Sequence, residues 1–244
     1  MRDANGATGV ALQAITDRLV DDLAGLRFAP PTAFVYDPLD YARAGWDAYC
    51  ARYARAGVDA ILLGMNPGPF GMAQTGVPFG AVPMVRDWLG IDVPVGRPGR
   101  EHPKRPVQGL ACPRTEVSGL RLWGFAKEVF RTPDAFFDRF FVANYCPLLF
   151  LEESGRNRTP DALPTAEREA LQAACDRALQ GLVSVLRPRI VIGVGAFAET
   201  RAREALAGTG VAIARIAHPS PANPAANRGW TGLARTSLQD LGLL

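Results

Sequence analysis

Lysine is nearly missing from this 244-residue chain: Lys104 and Lys127 stand against 25 arginines. Histidine is as scarce, with only His102 and His218, so a multi-histidine metal site is excluded. The four cysteines, Cys50, Cys112, Cys146 and Cys175, form no C-x-x-C pair. The close pair of a zinc or iron–sulfur site is therefore absent, and the cysteines read as reduced thiols of an intracellular protein that needs neither metal nor cofactor. No apolar run is long enough to span a bilayer, and the first residues lack the charged-then-apolar pattern of a signal peptide, so a soluble protein without membrane contact is expected. A net charge of +3 is too small to argue for a polyanion partner by itself. The arginine excess suits forked phosphate contacts, or it reflects the base composition of the source genome.

Hydrophobic residues make up 48% of the chain, enough for a sizeable core, and the length fits one domain over 1–244 with about 1–9 frayed. Apolar strands are expected at 59–63, 140–146, 190–195 and 211–217. Helical spacing marks 12–26, 40–56, 115–130, 166–186, 196–206 and a closing segment to Leu238. Residues 82–89 are helix-like apart from an early proline, and 92–113 form a long proline- and glycine-rich basic excursion. Strands alternating with helices, without hairpin signals between them, give an α/β class: a three-layer α/β/α sandwich around a central, mainly parallel four-stranded sheet.

The chain is organised around Gly64-Met65-Asn66-Pro67-Gly68-Pro69-Phe70-Gly71-Met72-Ala73-Gln74-Thr75-Gly76-Val77-Pro78-Phe79-Gly80, which leaves the first central strand. Five glycines and three prolines in seventeen residues specify a stiff, convoluted backbone whose amides can approach a flat or anionic group. Asn66 is its one side chain suited to chemistry. Asn144 is polar near the end of an apolar strand, so it either ties down a neighbouring loop or awaits a ligand. The fourth strand runs into His218-Pro219-Ser220-Pro221, a second stiffened loop. Asn66, Asn144 and His218 thus fall on one edge of one sheet, where ligands of open α/β sheets bind.

The 64–80 loop, Phe141-Val142-Ala143-Asn144-Tyr145-Cys146-Pro147-Leu148 and His218-Pro219-Ser220-Pro221 resemble the uracil-DNA glycosylase superfamily, specifically its single-strand-selective monofunctional members. Gly155-Arg156-Asn157 and Glu116-Val117-Ser118-Gly119 add to the likeness, which runs from about Trp46 to Trp230. The resemblance implies a DNA glycosylase that flips its target base out of the stack. It implies Phe79 as the stacking ring, Asn144 as the reader of O4 and N3–H, the Met65 amide as a further donor, His218 on O2 and Asn66 on the attacking water. Gly68 stands where uracil-specific relatives carry a tyrosine against C5, which implies room for 5-substituents such as 5-hydroxymethyl. Neither lysine lies in a motif, so a Schiff base is not expected and the product is an abasic site.

DNA contacts are expected from Ser154, Gly155, Arg156, Asn157 and Arg158, and from a duplex-entering wedge that includes Ser220, Pro221, Ala222, Asn223, Pro224 and Arg228. Ala222 departs from the larger, often basic residue of the pattern, which puts deep duplex penetration in doubt and favours single strands. A base preference shifted to deaminated purines, such as xanthine or hypoxanthine, and a catalytically silent binder of damaged or single-stranded DNA stay open as alternatives. A phosphate-binding role for the first loop is disfavoured because it has no lysine. A monomer is the default, located in the cytoplasm of a bacterium or the nucleus of a eukaryote.

Overall fold

A computed structural model describes residues 2–244, with side chains from Gly6 onward. In chain order the elements are α1 (Arg2–Ala24), β1 (Phe34–Tyr36), α2 (Pro38–Tyr41), α3 (Arg43–Tyr53), β2 (Ala60–Gly64), α4 (Met72–Thr75), α5 (Val117–Phe130), α6 (Pro133–Phe137) and β3 (Phe140–Asn144). They continue with β4 (Leu149–Leu151), β5 (Asn157–Arg158), α7 (Thr165–Leu186), β6 (Ile190–Val194), α8 (Ala196–Ala205), β7 (Ala212–Ile216), α9 (Pro224–Asn227) and α10 (Trp230–Asp240).

The four apolar runs form one all-parallel sheet of order β3-β2-β6-β7, as expected. Both faces are covered, and adjacent residues of β3 show why. Phe140 packs on Phe130 and Phe136 of α5 and α6, whereas Phe141 points the other way to Trp46 and Tyr49 of α3. That alternation is the strand's period of two, and it makes the sheet the middle of three layers. All five residues of β2 are buried, so the strand that launches the glycine-rich loop is anchored at the centre.

Several expectations are corrected. The segment expected to fray belongs to α1 from Arg2 onward, and a Cβ on Gly9 would sit in ordinary contact with Ala51 of α3, at 3.6 Å; Met1 lies outside the described residues. The expected 40–56 helix is two helices, because Ala42 leaves helical geometry at φ −106°, ψ 25°. Residues 84–88 form a π-helical turn. Hairpin pairing does occur: β1, β4 and β5 make a second, antiparallel sheet, so the loop expected at 152–164 contains a strand. These strands are two or three residues long and too short to show a period. The excursion at 92–113 is irregular as expected, apart from one 3-10 turn at Gly109–Ala111.

Candidate active site

A pocket of about 440 Å³ opens at the carboxyl ends of the parallel strands. Met65, Asn66, Gly68, Phe79, Asn144 and His218 line it, so all six residues expected to bind or act on the base share one cavity. Asn157, Ser220 and Ala222 reach its rim.

Each side chain is set by identifiable contacts. Asn66 stands two residues past the end of β2 and donates through Nδ2 to the Leu148 carbonyl at 3.1 Å, which leaves Oδ1 to accept. Asn144, the last residue of β3, donates through Nδ2 to the Met72 sulfur at 3.3 Å. The carbonyl of Gly64 accepts from Tyr145 N–H at 2.9 Å, so the trans peptide turns the Met65 N–H to the opposite side.

Phe79 holds a left-handed backbone conformation, φ 53°, rare for a bulky residue. Its carbonyl accepts from the Trp123 indole at 3.1 Å and from Ala81 N–H at 2.7 Å. Gly119 of α5 lets the helix press on that carbonyl, since a Cβ there would lie 2.0 Å from it. The strain is thus over-determined by neighbours, and it aims the ring into the pocket wall.

His218 is half-buried, and its Nδ1 accepts from the Ser220 N–H at 3.0 Å. An accepting Nδ1 carries no proton, so the neutral ring keeps its N–H on Nε2. Burial pulls the side chain below the ordinary imidazole pKa and keeps it neutral near pH 7. Gly195, at φ +96° after β6, gives the ring space: a Cβ there would lie 3.2 Å from His218 Cβ. Asn223 donates to the His218 carbonyl at 3.0 Å and caps α9.

Glu116 stands beside Gly68: a Cβ on Gly68 would lie 2.7 Å from its Oε2, and one on Gly71 only 1.8 Å away, while Gly68 itself lines the pocket. Glu116 itself lines the pocket; the residue is half-buried, but its Oε2 is buried without a partner. Desolvation alone raises its pKa to about 7.

Of the expected DNA contacts, Ser154, Gly155, Arg156, Asn157 and Arg158 form the β4–β5 hairpin. Arg156 is exposed, whereas Arg158 turns inward to Glu152 at 3.5 Å and to the Ala162 carbonyl. Gly155, at φ +81°, packs on His102, whose Nε2 is 2.9 Å from the Glu153 carbonyl. His102 therefore holds the hairpin and stands outside the pocket. Pro221, Ala222, Pro224 and Arg228 are exposed along the second loop. Both lysines are exposed and neither lines the pocket. Among the described residues no acidic, cysteine or histidine cluster could hold a metal, and no helix is long and apolar enough to cross a membrane.

Residues 51–238 match the Uracil DNA glycosylase superfamily. The single-strand selective monofunctional uracil DNA glycosylase of Mus musculus is 53% identical over 229 residues, which cover 93% of this chain and 82% of the mouse protein. The chain belongs to the uracil DNA glycosylase superfamily, in its single-strand-selective monofunctional family. The proteins of the same name from Rattus norvegicus and Bos taurus are 53% and 52% identical, covering 93% of this chain and 82% and 84% of theirs. A crystal structure of wild-type Pedobacter heparinus SMUG2 superposes with a TM-score of 0.64 over 93% of this chain and 98% of that one, at 17% identity, which speaks for the fold.

In this superfamily member, the residues that build the pocket from behind escaped the sequence reading. Gln74 is buried and bonds Pro69 O, Pro106 O and Gln108 N, tying the glycine-rich loop to the 92–113 excursion. Thr75 bonds Gly71 O and Gly80 O across the same loop. Arg121 of α5 donates to Pro219 O at 2.7 Å and Asn227 Oδ1 at 3.0 Å, clamping the second loop. Two adjacent polar residues inside an otherwise glycine-, proline- and apolar-rich run were the available signal for Gln74 and Thr75.

Proposed function

We propose that this chain hydrolyses the N-glycosidic bond of uracil and 5-substituted uracils such as 5-hydroxymethyluracil, in single- and double-stranded DNA, and leaves an abasic site. The observation that carries it is the meeting of Asn66, Asn144, His218 and the Phe79 ring in one pocket. Phe79 and His218 rings stand 6.3 Å apart and tilted, so a flipped base has a face to stack on and an edge to bond.

Asn144 chooses the base. Its Nδ2 is held toward a thioether that can only accept, so the amide presents a donor to O4 and an acceptor to N3–H. Cytosine carries the reverse pattern. The Met65 N–H supplies another donor to the base.

When the N1–C1′ bond breaks, its electron pair leaves with the base and the sugar becomes positive. His218 meets the base's charge with Nε2–H on O2. Asn66 offers Oδ1 to a water whose oxygen bonds C1′, the water's proton passing to solvent or the departing base. An amide cannot take that proton in the transition state, so bond cleavage leads and water follows. With no lysine in the pocket, no Schiff base forms with the sugar.

Arg156 and Arg228 suit phosphates, Ser154, Gly155 and Asn157 the backbone beside them, and Ser220, Pro221, Asn223 and Pro224 shape a wedge tipped by Ala222. A methyl tip is a shallow wedge, which favours single strands. The test is an oligonucleotide panel bearing uracil, 5-hydroxymethyluracil, hypoxanthine or xanthine, with and without alkali. Free base from the first two and strand breaks only after alkali are expected. Activity on xanthine alone, or no base released from any substrate, would sink the proposal.

A further inference from the structure

We propose that Arg114 and Arg105, stacked on the Phe70 ring, form a further DNA-contact site that takes phosphates of the strand beside the flipped nucleotide. This rests on the base-flipping function proposed above.

The basic stretch ahead of α5 carries Arg97, Arg100, Arg105 and Arg114, and their surroundings divide them. Arg97 lies 3.5 Å from Glu101 and Arg100 3.9 Å from Glu153, whereas Arg105 and Arg114 meet no carboxylate among the described residues. Both of these guanidiniums stand over one ring: the Cζ of Arg114 is 3.9 Å, and that of Arg105 5.6 Å, from the centroid of Phe70. Arg114 is exposed, and its guanidinium makes no hydrogen bond within the described residues. Arg105 donates from one terminal nitrogen to the Lys104 carbonyl at 2.9 Å, and its Nε is buried without a partner. A ring's quadrupole holds a cation over its face. The edge of the guanidinium plane keeps the forked N–H donors that match a phosphate. Phe70 thus orients two forks without consuming them.

The stack stands at the rim of the base pocket. Phe70 is two residues past Gly68 and Arg114 two residues before Glu116, both of which line the pocket, and two residues of chain span at most about 7 Å. A strand whose nucleotide has entered the pocket carries its flanking phosphates past that rim. The backbone here is already tied down. Arg105 N–H donates to the His102 carbonyl at 2.8 Å, the Arg105 carbonyl accepts from the Tyr36 hydroxyl at 2.9 Å, and the Pro106 carbonyl accepts from Gln74 at 3.0 Å. Donors held in place beforehand lose less freedom on binding. The site lies on the glycine-rich loop and the segment before α5, elements that carry neither Arg156 nor Arg228.

The experiment measures binding of a single-stranded oligonucleotide with a tetrahydrofuran abasic site, at several salt concentrations, by wild type, Arg114→Ala, Arg114→Lys and Phe70→Leu. It is repeated with the strand cut back to the abasic site on one side or on the other. Arg114→Ala should weaken binding about tenfold. It should also lower the slope of log K against log salt by about 0.7, the share of one phosphate on a single strand. Arg114→Lys keeps the charge and should keep the slope. Phe70→Leu leaves both charges but frees them, so binding should weaken several-fold. Wild type and Arg114→Ala should bind alike once the truncation removes the phosphates that Arg114 holds. Wild-type affinity and slope in Arg114→Ala, or a loss that neither truncation relieves, would overturn the site alone. A wild type that releases no base from a uracil-bearing strand would overturn the function beneath it.

Discussion

Gly64 and Asn144 meet through bare backbone: a Cβ on Gly64 would lie 2.3 Å from Oδ1 of Asn144 and 2.6 Å from Cε2 of Phe79. One hydrogen atom at the end of β2 thus sets the position of both the base-reading amide and the stacking ring. Gly64→Ala should displace the two together. The expected outcome is a folded protein destabilised by roughly 1–3 kcal/mol, the usual cost of overpacking. Its excision rate should fall far more than that of a variant altered at an exposed glycine such as Gly232, where nothing lies within 4 Å. Thermal melts alongside single-turnover rates check both.

His218→Leu should lower the rate of the chemical step on the order of 100-fold, because the Nε2–H donor to O2 is lost. DNA binding should persist, since the ring sits inside the pocket and the exposed loop residues remain. The pH dependence carries a sign. Burial lowers the folded-state pKa, so stability from the neutral ring is present above the ordinary value of 6.5 and is lost as pH falls through the lower folded one. Chemical denaturation of wild type and His218→Leu across that acid window should converge as pH drops.

Glu116 titrates in the opposite sense. Its folded pKa, about 7, lies above the ordinary 4.5, so the neutral carboxyl's stability is fully present below 4.5 and is lost as pH rises through about 7. Glu116→Gln removes that loss. Relative to wild type, the variant should gain stability between acid and mildly alkaline pH, by at most roughly 3 kcal/mol. Melting curves over that range check it, and a constant difference would contradict the assignment.

Arg121→Ala should loosen the loop that carries His218 and Ala222, because it removes donors to Pro219 O and Asn227 Oδ1. Arg121 touches neither base nor reacting atoms in this arrangement, so it is a positioning residue. KM is expected to rise several-fold with kcat less affected, since the loop is still held by Asn223 at the His218 carbonyl. A loss confined to kcat would place Arg121 elsewhere in the mechanism.

The central sheet was legible because buried parallel strands are continuous apolar runs, as Ala60–Gly64 and Ile190–Val194 show. The convergence of Asn66, Asn144 and His218 followed from the same topology, since parallel strands place their carboxyl ends on one edge. Glu116 did not follow. Its place in the pocket wall depends on its approach to Gly68 and Gly71, more than forty residues away in the chain, and a lone glutamate before a helix reads first as a helix-start residue. The second sheet was hidden for two reasons: Phe34–Tyr36 is ordered by a partner distant in the chain, Phe34 pairing with Leu151, and Asn157–Arg158, though paired locally with Phe150 and Leu151, is too short to carry a pattern of its own.

That second sheet also separates two arginines that look equivalent in sequence. Arg156 projects from the β4–β5 turn into solvent, whereas Arg158 is 14% exposed and faces Glu152, itself 21% exposed, at 3.5 Å. A phosphate contact releases counterions, so removing one lowers the salt dependence of binding; removing an internal pair does not. Arg156→Ala should therefore weaken DNA binding uniformly across sequences and reduce the slope of log K against log salt by about 1. Arg158→Ala should leave that slope unchanged and instead lower the melting temperature, because Glu152 loses its partner and the hairpin loses its tie to Ala162. Binding titrations at several salt concentrations, with melts of both variants, distinguish the two, and a reduced slope for Arg158→Ala would show that it swings out to the DNA on binding.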